Sequence, residues 1–455
     1  MSHYSKDSRI AIIGAGAAGL AAAERLRARG YKNITIFEKT HRAGGQALTL
    51  RYKVDDQREV IYELGSMQPT GSPNLFKLFE RYHLHLGKSP YANDLERVHT
   101  NYLKLYSFEQ HKIIQDFEVN KIGFPLKKIV GGVGDTLKLA AILYRYRALF
   151  KPGFQLNQKQ FTDLSIPFNQ WVDNQHFKVI GNNLKMLGIA GTVGNPELSN
   201  ENSALMVLKF ICACITWRPS RVRFVNGVFK LVREGYQELW ERVAKAHHVI
   251  FNANIEKIIR NDNKIDIHYN NKTEVFDALL VTCSFTEANK ILDVTEEERN
   301  LFDKVKYNRG WRVAFLAKNL PVSGIYFFIE PFLNPSYLSC PLPGFIIEGE
   351  VGNGVWLYSS ALSSTEADVP LEPMYKKIED ILHKEFKAEV VQWVGAAYWP
   401  EFFPHFDPDD VNNGIYQKIN DLQSKKNTYY LGATLSSSMH APVVDHAYAV
   451  VDQYF

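Results

Sequence analysis

Within IAIIGAGAAGLAAAERLRARG, residues 10–30, glycines stand at positions 14, 16 and 19, and a carboxylate, Glu38, follows 19 residues after the last of them. Residues of these types at this spacing suit nucleotide binding. Gly14 permits a tight turn, Gly16 lets the backbone approach a pyrophosphate, and Gly19 lets a helix pack closely on a strand. A helix starting at this turn aims its free N–H groups and the positive end of its dipole at phosphate oxygens. Glu38 can accept both hydroxyls of an adenosine ribose, and its charge would repel a 2′-phosphate. The plainer alternative is a turn whose glycines serve packing alone.

Such residues need a strand, a helix and a second strand to gather them. RIAIIGAG is a short β-branched run ending in glycine, AAGLAAAERLRARG is an alanine-rich helix stopped by Gly30, and NITIFEK is a second strand. Together they make a β-turn-α-β unit. The stretch is a poor export signal, because ERLRARG follows its apolar run at once. It is also too short and too soon charged to span a bilayer, which takes ~20 apolar residues, and no other long uncharged span exists.

The chain of 455 residues exceeds the ~250–300 at which one core stops growing, so two or three packing units are expected. Hydrophobic residues at 45% and charged residues at 22% describe an ordinary globular, soluble composition. The 53 basic and 49 acidic residues nearly balance, and without a run of like charge the sequence argues against nucleic acid as a partner. Aromatic residues reach 13%, which suits large apolar pockets and equally suits core filling. Cys212, Cys214, Cys283 and Cys340 form neither a disulfide framework nor the paired spacing of a zinc site. A cytoplasmic setting and no metal are therefore expected. Cys212 and Cys214, in LKFICACITW, read as buried helical thiols. VGGVGDT and GIAGTVG have the wrong spacing for a second dinucleotide turn, so electrons should come from an organic substrate and not from a built-in NAD(P)H module.

NAD and FAD share the opening unit; the residues after Glu38 separate them. KTHRAGGQ places Gly44 and Gly45 where a loop can fold back over the pyrophosphate beside Arg42, and YELGSMQ supplies a further small-residue strand end at Gly65-Ser66. With these features the chain resembles the flavin-dependent amine oxidase superfamily, whose members carry this glycine pair after the ribose acid. Three distant segments extend the resemblance. EGYQELWERV looks like the family's helix before the adenine-side strand, NANIEKIIRNDNKIDIHY reads as a hairpin, and FDALLVTCS returns as a buried strand. NTYYLGATLSSSMHAPVVDHAYAVV resembles the closing strand, glycine and helix that hold the flavin, with the helix starting around Pro442 to Val444. The fold this implies is α/β: a Rossmann-like FAD-binding domain of the glutathione reductase/amine oxidase type, with a helical cap and a mixed-sheet substrate domain. The cofactor implied is non-covalent FAD, since the cysteines lie outside the closing segment. Its implied contacts are Gly14, Ala15, Gly16, Ala18, Gly19, Glu38, Lys39, Arg42, Gly44, Gly45, Gln46, Gly65, Ser66, Met67, Ile255, Gly432, Ala433 and Val443.

Within that superfamily IPFNQW, GTVG, SALMVLKF and WPEFFPHF resemble the polyenoic fatty acid isomerase-like flavoproteins, with similarity strongest in the nucleotide segments. The resemblance implies residues 1–88, 224–300 and 415–455 as the FAD-binding domain, 89–223 as the cap and 301–414 as a sheet roofing the flavin ring. An apolar tunnel between cap and sheet would take a fatty chain, at ~0.8 kcal/mol per buried CH₂. Arg97 falls near the arginine with which those isomerases meet a carboxylate, and a solvated surface arginine is the competing reading. Tyr398, Trp399, Phe402 and Phe403 are channel candidates and equally core candidates. Arg312 sits where amine oxidases place a lysine beside flavin N5, which disfavours amine oxidation. In the isomerases a hydride passes to flavin N5 and returns to another carbon of the same substrate, so no Ser-His-Asp set is required. Two departures stand out: Gln46 where the family often has a basic residue, and Gly432-Ala433 where it commonly has Gly-Glu. Three functions follow as alternatives: an isomerase or oxidoreductase of an unsaturated fatty acyl chain, an amine or amino-acid oxidase releasing hydrogen peroxide, and a non-catalytic flavin-binding protein. No membrane span is expected, though association with a membrane surface is compatible with such a substrate.

Overall fold

A computed structural model of the chain describes residues 4–455 apart from 54, 57–58, 67–70, 88–101, 119–132, 179, 182–183, 186–202, 219–220, 225–230, 262, 320–324, 331–343, 353 and 365–369. The β-branched run Arg9–Ile13 forms the expected strand and is buried from Ile10 onward. It is the middle strand of a five-stranded parallel sheet in the order His248–Ile250, Asn33–Phe37, Arg9–Ile13, Ala278–Val281, Thr428–Tyr430. Burial on both faces explains why these strands read as nearly continuous apolar runs. The chain leaves the middle strand toward both sides of the sheet, and in such sheets ligands bind at the carboxyl ends of the strands flanking that point.

The helix Ala17–Ala28 follows the glycine turn, and Leu20, Ala21, Ala22 and Ala23 are fully buried. Small side chains let it lie close to the sheet and to the terminal helix His440–Tyr454, to which Arg25 is tied by a bidentate pair with Asp452 at 2.7 and 2.8 Å. The terminal helix starts at His440, two residues before the expected Pro442, because extended Met439 is its N-cap residue. The predicted hairpin gains a third strand: Ile255–Arg260, Ile265–Tyr269 and Lys272–Phe276 pair in sequence.

Glu24 is buried on the inner side of the first helix. One carboxylate oxygen accepts from Tyr82 Oη at 2.6 Å and faces His247 Nε2 at 2.8 Å, and the other accepts from Arg81 at 2.7 Å. Burial alone would raise its pKa, but the contacts from His247, Tyr82 and Arg81 outweigh burial and bring it from 4.5 down to about 2. Because the folded value lies below the unfolded one, the network contributes stability above about pH 4.5 that is lost as pH falls toward about 2. Urea unfolding across that window should show the loss in the wild type and a flatter acid limb in Glu24→Gln; equal slopes would refute the assignment.

A second sheet of seven strands runs in the order Glu389–His405, Lys306–Lys318, Val355–Ser364, Gly344–Gly352, Ile325–Phe328, Tyr102–Ser107, Lys112–Glu118. Helix Leu371–Phe386 covers one face with Met374, Ile378 and Leu382. This sheet corrects the expected cap. Residues 102–118, assigned to a helical cap of 89–223, are a β-hairpin that extends the roof, with Tyr102–Ser107 parallel to Ile325–Phe328. Helices do follow, at Val133–Arg145, Gln158–Leu164, Phe168–Asn174 and Ala204–Cys214. The last ends at Cys214, and the expected helical ITW becomes the strand Ile215–Arg218, paired with Arg221–Phe224. Cys212 is buried as expected. Lys209 on that helix clamps the preceding loop, its ammonium donating to the carbonyls of Leu149, Lys151 and Gly153 at 2.5–2.9 Å.

Candidate nucleotide and substrate site

The glycine turn, the loop after Glu38 and the strand end at Gly65 converge at the carboxyl ends of the parallel strands. Gly44 N donates to Ala15 O at 2.9 Å, and Gly16 and Gly44 form a parallel bridge. A Cβ on Gly45 would lie 3.1 Å from Gly16 Cα, so the two loops meet backbone to backbone. Gly14 has φ 105° and Gly44 φ 110°, conformations that side chains resist. Ser66 N donates to Gln46 O at 2.9 Å, and a Cβ on Gly65 would lie only 2.0 Å from that oxygen. Gly432, the loop glycine of the closing segment, approaches Thr282 O, while Thr282 Oγ1 donates to Ile13 O at 2.7 Å beneath the turn.

Glu38 sits at the end of its strand with its carboxylate already oriented. One oxygen accepts from Ala15 N at 2.8 Å, and the other accepts from the N–H and hydroxyl of Thr40 at 2.9 and 2.8 Å. Ala253 N donates to Glu38 O, which brings the chain leading to Ile255 alongside the ribose acid. Two helices begin here without side-chain caps and without an acid in the first turn: Ala17–Ala28 after Gly16, and His440–Tyr454 after Met439. Ala18 and Val443 lie in the first turns of these helices, and Ala433 opens the short helical turn Ala433–Leu435. Their first-turn N–H groups lack intrahelical acceptors and attract anionic oxygens. His440 competes little, because burial lowers its pKa to about 3 and its neutral ring accepts from Trp240 Nε1 at 3.3 Å. Cradle, oriented carboxylate and bare helix ends fit FAD.

Lys39 is exposed and pairs with Glu287 at 3.6 Å, because its side chain leaves the strand end toward solvent. Arg42 donates to the carbonyls of Ala43, Gly45 and Ala47 at 3.3, 2.7 and 2.9 Å, bracing its own glycine loop. Met67 and Arg97 lie outside the described residues. Sequence reasoning missed Thr40 and Thr282, which fix the ribose acid and the turn. The signal was there for Thr40, a hydroxyl two residues beyond an acid that can cap it. Nothing local marks Thr282.

The roof meets the cradle through two contacts. Trp399 Nε1 donates to Leu64 O at 2.7 Å, and Gln46 Nε2 donates to Glu401 O at 3.1 Å. Across the roof Trp311 pairs with Tyr398, their rings 5.0 Å apart, and Arg312 pairs with Ala397. Phe402 and Phe403 follow on the same strand, with ring centroids 5.0 Å apart. Phe403 has φ 48° and precedes Pro404, in a register shift opposite Lys306–Asn308. A β-bulge with such strain re-aims side chains next to sites. Burial lowers the Arg312 pKa, with Tyr62 acting the other way. Burial, followed by Glu287, pushes the Cys283 thiol beside the turn up to about 12, which makes it a poor nucleophile. Among the described residues no cluster of His, Cys, Asp or Glu could hold a metal ion, and no helix is long and apolar enough to cross a membrane.

Comparison with known proteins agrees with this geometry. Residues 17–319 match the family described as flavin containing amine oxidoreductase, and the chain belongs to that family. FAD is its cofactor, and the fold is the FAD-binding amine oxidase type. The crystal structure of a CLA-producing fatty acid isomerase from P. acnes is similar over 99% of this chain and 100% of that one, with TM-score 0.78 at 21% identity. An FAD-dependent oxidoreductase, oblC, from Cochliobolus heterostrophus is 22% identical over 94% of this chain and 88% of its own. Tryptophan 2-monooxygenase from Pantoea agglomerans pv. gypsophilae is 37% identical over 82 residues, 18% of this chain, which spans only 15% of that relative.

Proposed function

We propose that this flavoenzyme isomerises double bonds of an unsaturated fatty acyl chain. The observation that carries the reading is the roof strand Glu389–His405: Trp399 is hydrogen-bonded to the residue before Gly65 and Phe402 and Phe403 follow it, whereas Trp311, with Tyr398 against it, packs toward the helix-covered face of the sheet. Such a surface offers apolar area and few polar groups, which suits a hydrocarbon chain. Bound FAD supplies a hydride acceptor that can return the hydride to the same substrate. The protein's own share is to exclude water with its indole and phenyl rings and to hold an allylic carbon within roughly 3–3.5 Å of that acceptor. Arg312 on the roof strand is the described cation we assign to the substrate carboxylate, with Arg97 a second candidate from sequence. The similarity over the whole length of the P. acnes isomerase supports the same reading.

An amino-acid oxidase is the second reading, favoured by the local match to tryptophan 2-monooxygenase, since Arg312 would serve an amino-acid carboxylate equally well. Anaerobic addition of free polyunsaturated fatty acids to the purified yellow protein should produce conjugated-diene absorbance without net oxygen use. Hydrogen peroxide released in air with an amine or amino acid, and no diene from lipid, would select the second reading. A flavin that neither class of compound ever bleaches without oxygen would leave a non-catalytic flavin-binding protein.

A further inference from the structure

The helix Val133–Arg145 has two apolar sides. Ile142 and Leu143 face the core, with Tyr146 just beyond the helix end. On the outer side Leu137 is 66% exposed and Tyr144 57% exposed, and exposed Ala141 lies between them at the i, i+4, i+7 spacing. This outward apolar strip contributes little to folding.

Its borders are basic. Lys138 and Arg145 flank it on the helix, and Arg147 and Lys151 follow in the next turns, all exposed. The Arg147 guanidinium lies 4.8 Å from the centre of the Tyr144 ring. Arg145 also pairs with Asp163, and Lys138 donates to the carbonyls of Gln175 and His176. No Asp or Glu occurs between Thr136 and Thr162. Residues 119–224 hold fourteen Lys and Arg against five Asp and Glu, whereas the whole chain holds 53 against 49. The remainder of the chain is therefore slightly acidic, and the exposed basic residues described beside this helix are Lys138, Arg145, Arg147 and Lys151.

We infer that the outer face of Val133–Arg145 docks on an anionic phospholipid surface. Leu137 and Tyr144 enter the boundary between head groups and acyl chains, and Lys138, Arg145, Arg147 and Lys151 meet lipid phosphates. A helix with an apolar strip bordered by basic residues is the form that lies in a membrane interface. A polynucleotide would use the charge but leave Leu137 in water. The inference stands independently of the substrate assigned above, because it rests on exposed residues outside the nucleotide cradle and the roof.

The test is co-sedimentation of the FAD-loaded full chain with vesicles of phosphatidylcholine alone or mixed with phosphatidylglycerol. Binding should require phosphatidylglycerol and weaken with added salt. Leu137→Gln with Tyr144→Gln, and separately Arg147→Glu with Lys151→Glu, should each lower the bound fraction about fivefold or more. Val391→Gln, at an exposed apolar position of the roof sheet, should not. These positions are at the surface, so flavin content and melting temperature should match the wild type. Equal binding to both vesicle types, no binding to the anionic ones, or variants that bind as the wild type does would overturn the inference. So would self-association, seen by sedimentation equilibrium, that both double variants abolish, since that would assign the face to a second copy of the chain.

Discussion

Gly16→Val should purify folded and nearly colourless. Gly16 has φ −81° and ψ −175°, an extended conformation open to any residue, and a Cβ there meets only Gly45 Cα, at 3.7 Å. The backbone therefore accepts the substitution. The two methyl groups, however, stand between the glycine turn and the glycine pair, in the space the pyrophosphate needs. Forcing added carbons into a fitted space costs about 1–3 kcal/mol, roughly a tenfold to hundredfold weaker Kd. Two measurements separate this from misfolding. Flavin absorbance per chain should fall steeply while the circular dichroism of the protein stays unchanged. Added FAD should raise the melting temperature of the wild type and leave the variant where it is. A variant that purifies fully yellow would refute the cradle. Gly65→Ala is a poorer test, because its Cβ would strike the Gln46 carbonyl and disturb the fold itself.

The second large effect is in the scaffold. Arg260 has no exposed side-chain surface, and its guanidinium forms a bidentate pair with Glu298 at 2.7 and 2.8 Å while also donating to Asp293 and Tyr430 Oη. Tyr430 Oη donates in turn to Glu298 at 2.6 Å, so strand Thr428–Tyr430 of the parallel sheet is tied to the helix Glu296–Phe302. Replacing Glu298 removes the bidentate partner of a buried guanidinium and leaves it Asp293 alone, and breaking a buried pair typically costs about 3–5 kcal/mol. Glu298→Gln should lower the urea midpoint by an amount corresponding to that loss. Arg260→Met combined with Glu298→Leu should recover most of it, since apolar groups of similar volume often replace such a pair without penalty. A loss below about 1 kcal/mol would place the network among ordinary surface pairs. Burial opposes ionisation of Glu298, but the hydrogen bonds from Arg260 and Tyr430 prevail and bring its pKa to about 2. Its contribution is thus present above its usual carboxylate range and disappears in acid, in the same window as that of Glu24.

Much of the cradle was legible because it is local. Gly14, Gly16, Gly19 and Glu38 belong to one strand-turn-helix-strand unit, where spacing along the chain sets spacing in space. Gly44, Gly45 and Gly65 were legible through resemblance, and the structure joins them through Gly44 N to Ala15 O and Ser66 N to Gln46 O. Long-range pairing was not legible. Residues 102–118 look like any short amphipathic stretch until Ile325–Phe328 lies beside them. Arg42 and Lys39 were named as cofactor contacts by resemblance, and residue type does not say where a long flexible side chain points: Lys39 faces Glu287 and Arg42 its own loop carbonyls.

The sequence by itself determined the nucleotide turn, the ribose acid, the alanine-rich helix packed on the sheet and the kinship with flavin enzymes, since each depends on residue type at short and fixed spacing. Only the tertiary structure decided that Thr40 and Thr282 lock the site, that Arg42 braces its own loop, and that Trp399 hangs the aromatic roof on the Leu64 carbonyl. The Thr282 and Trp399 contacts join segments hundreds of residues apart and exist only once both sheets have formed, while those of Thr40 and Arg42 are local but depend on how the loop after Glu38 is folded.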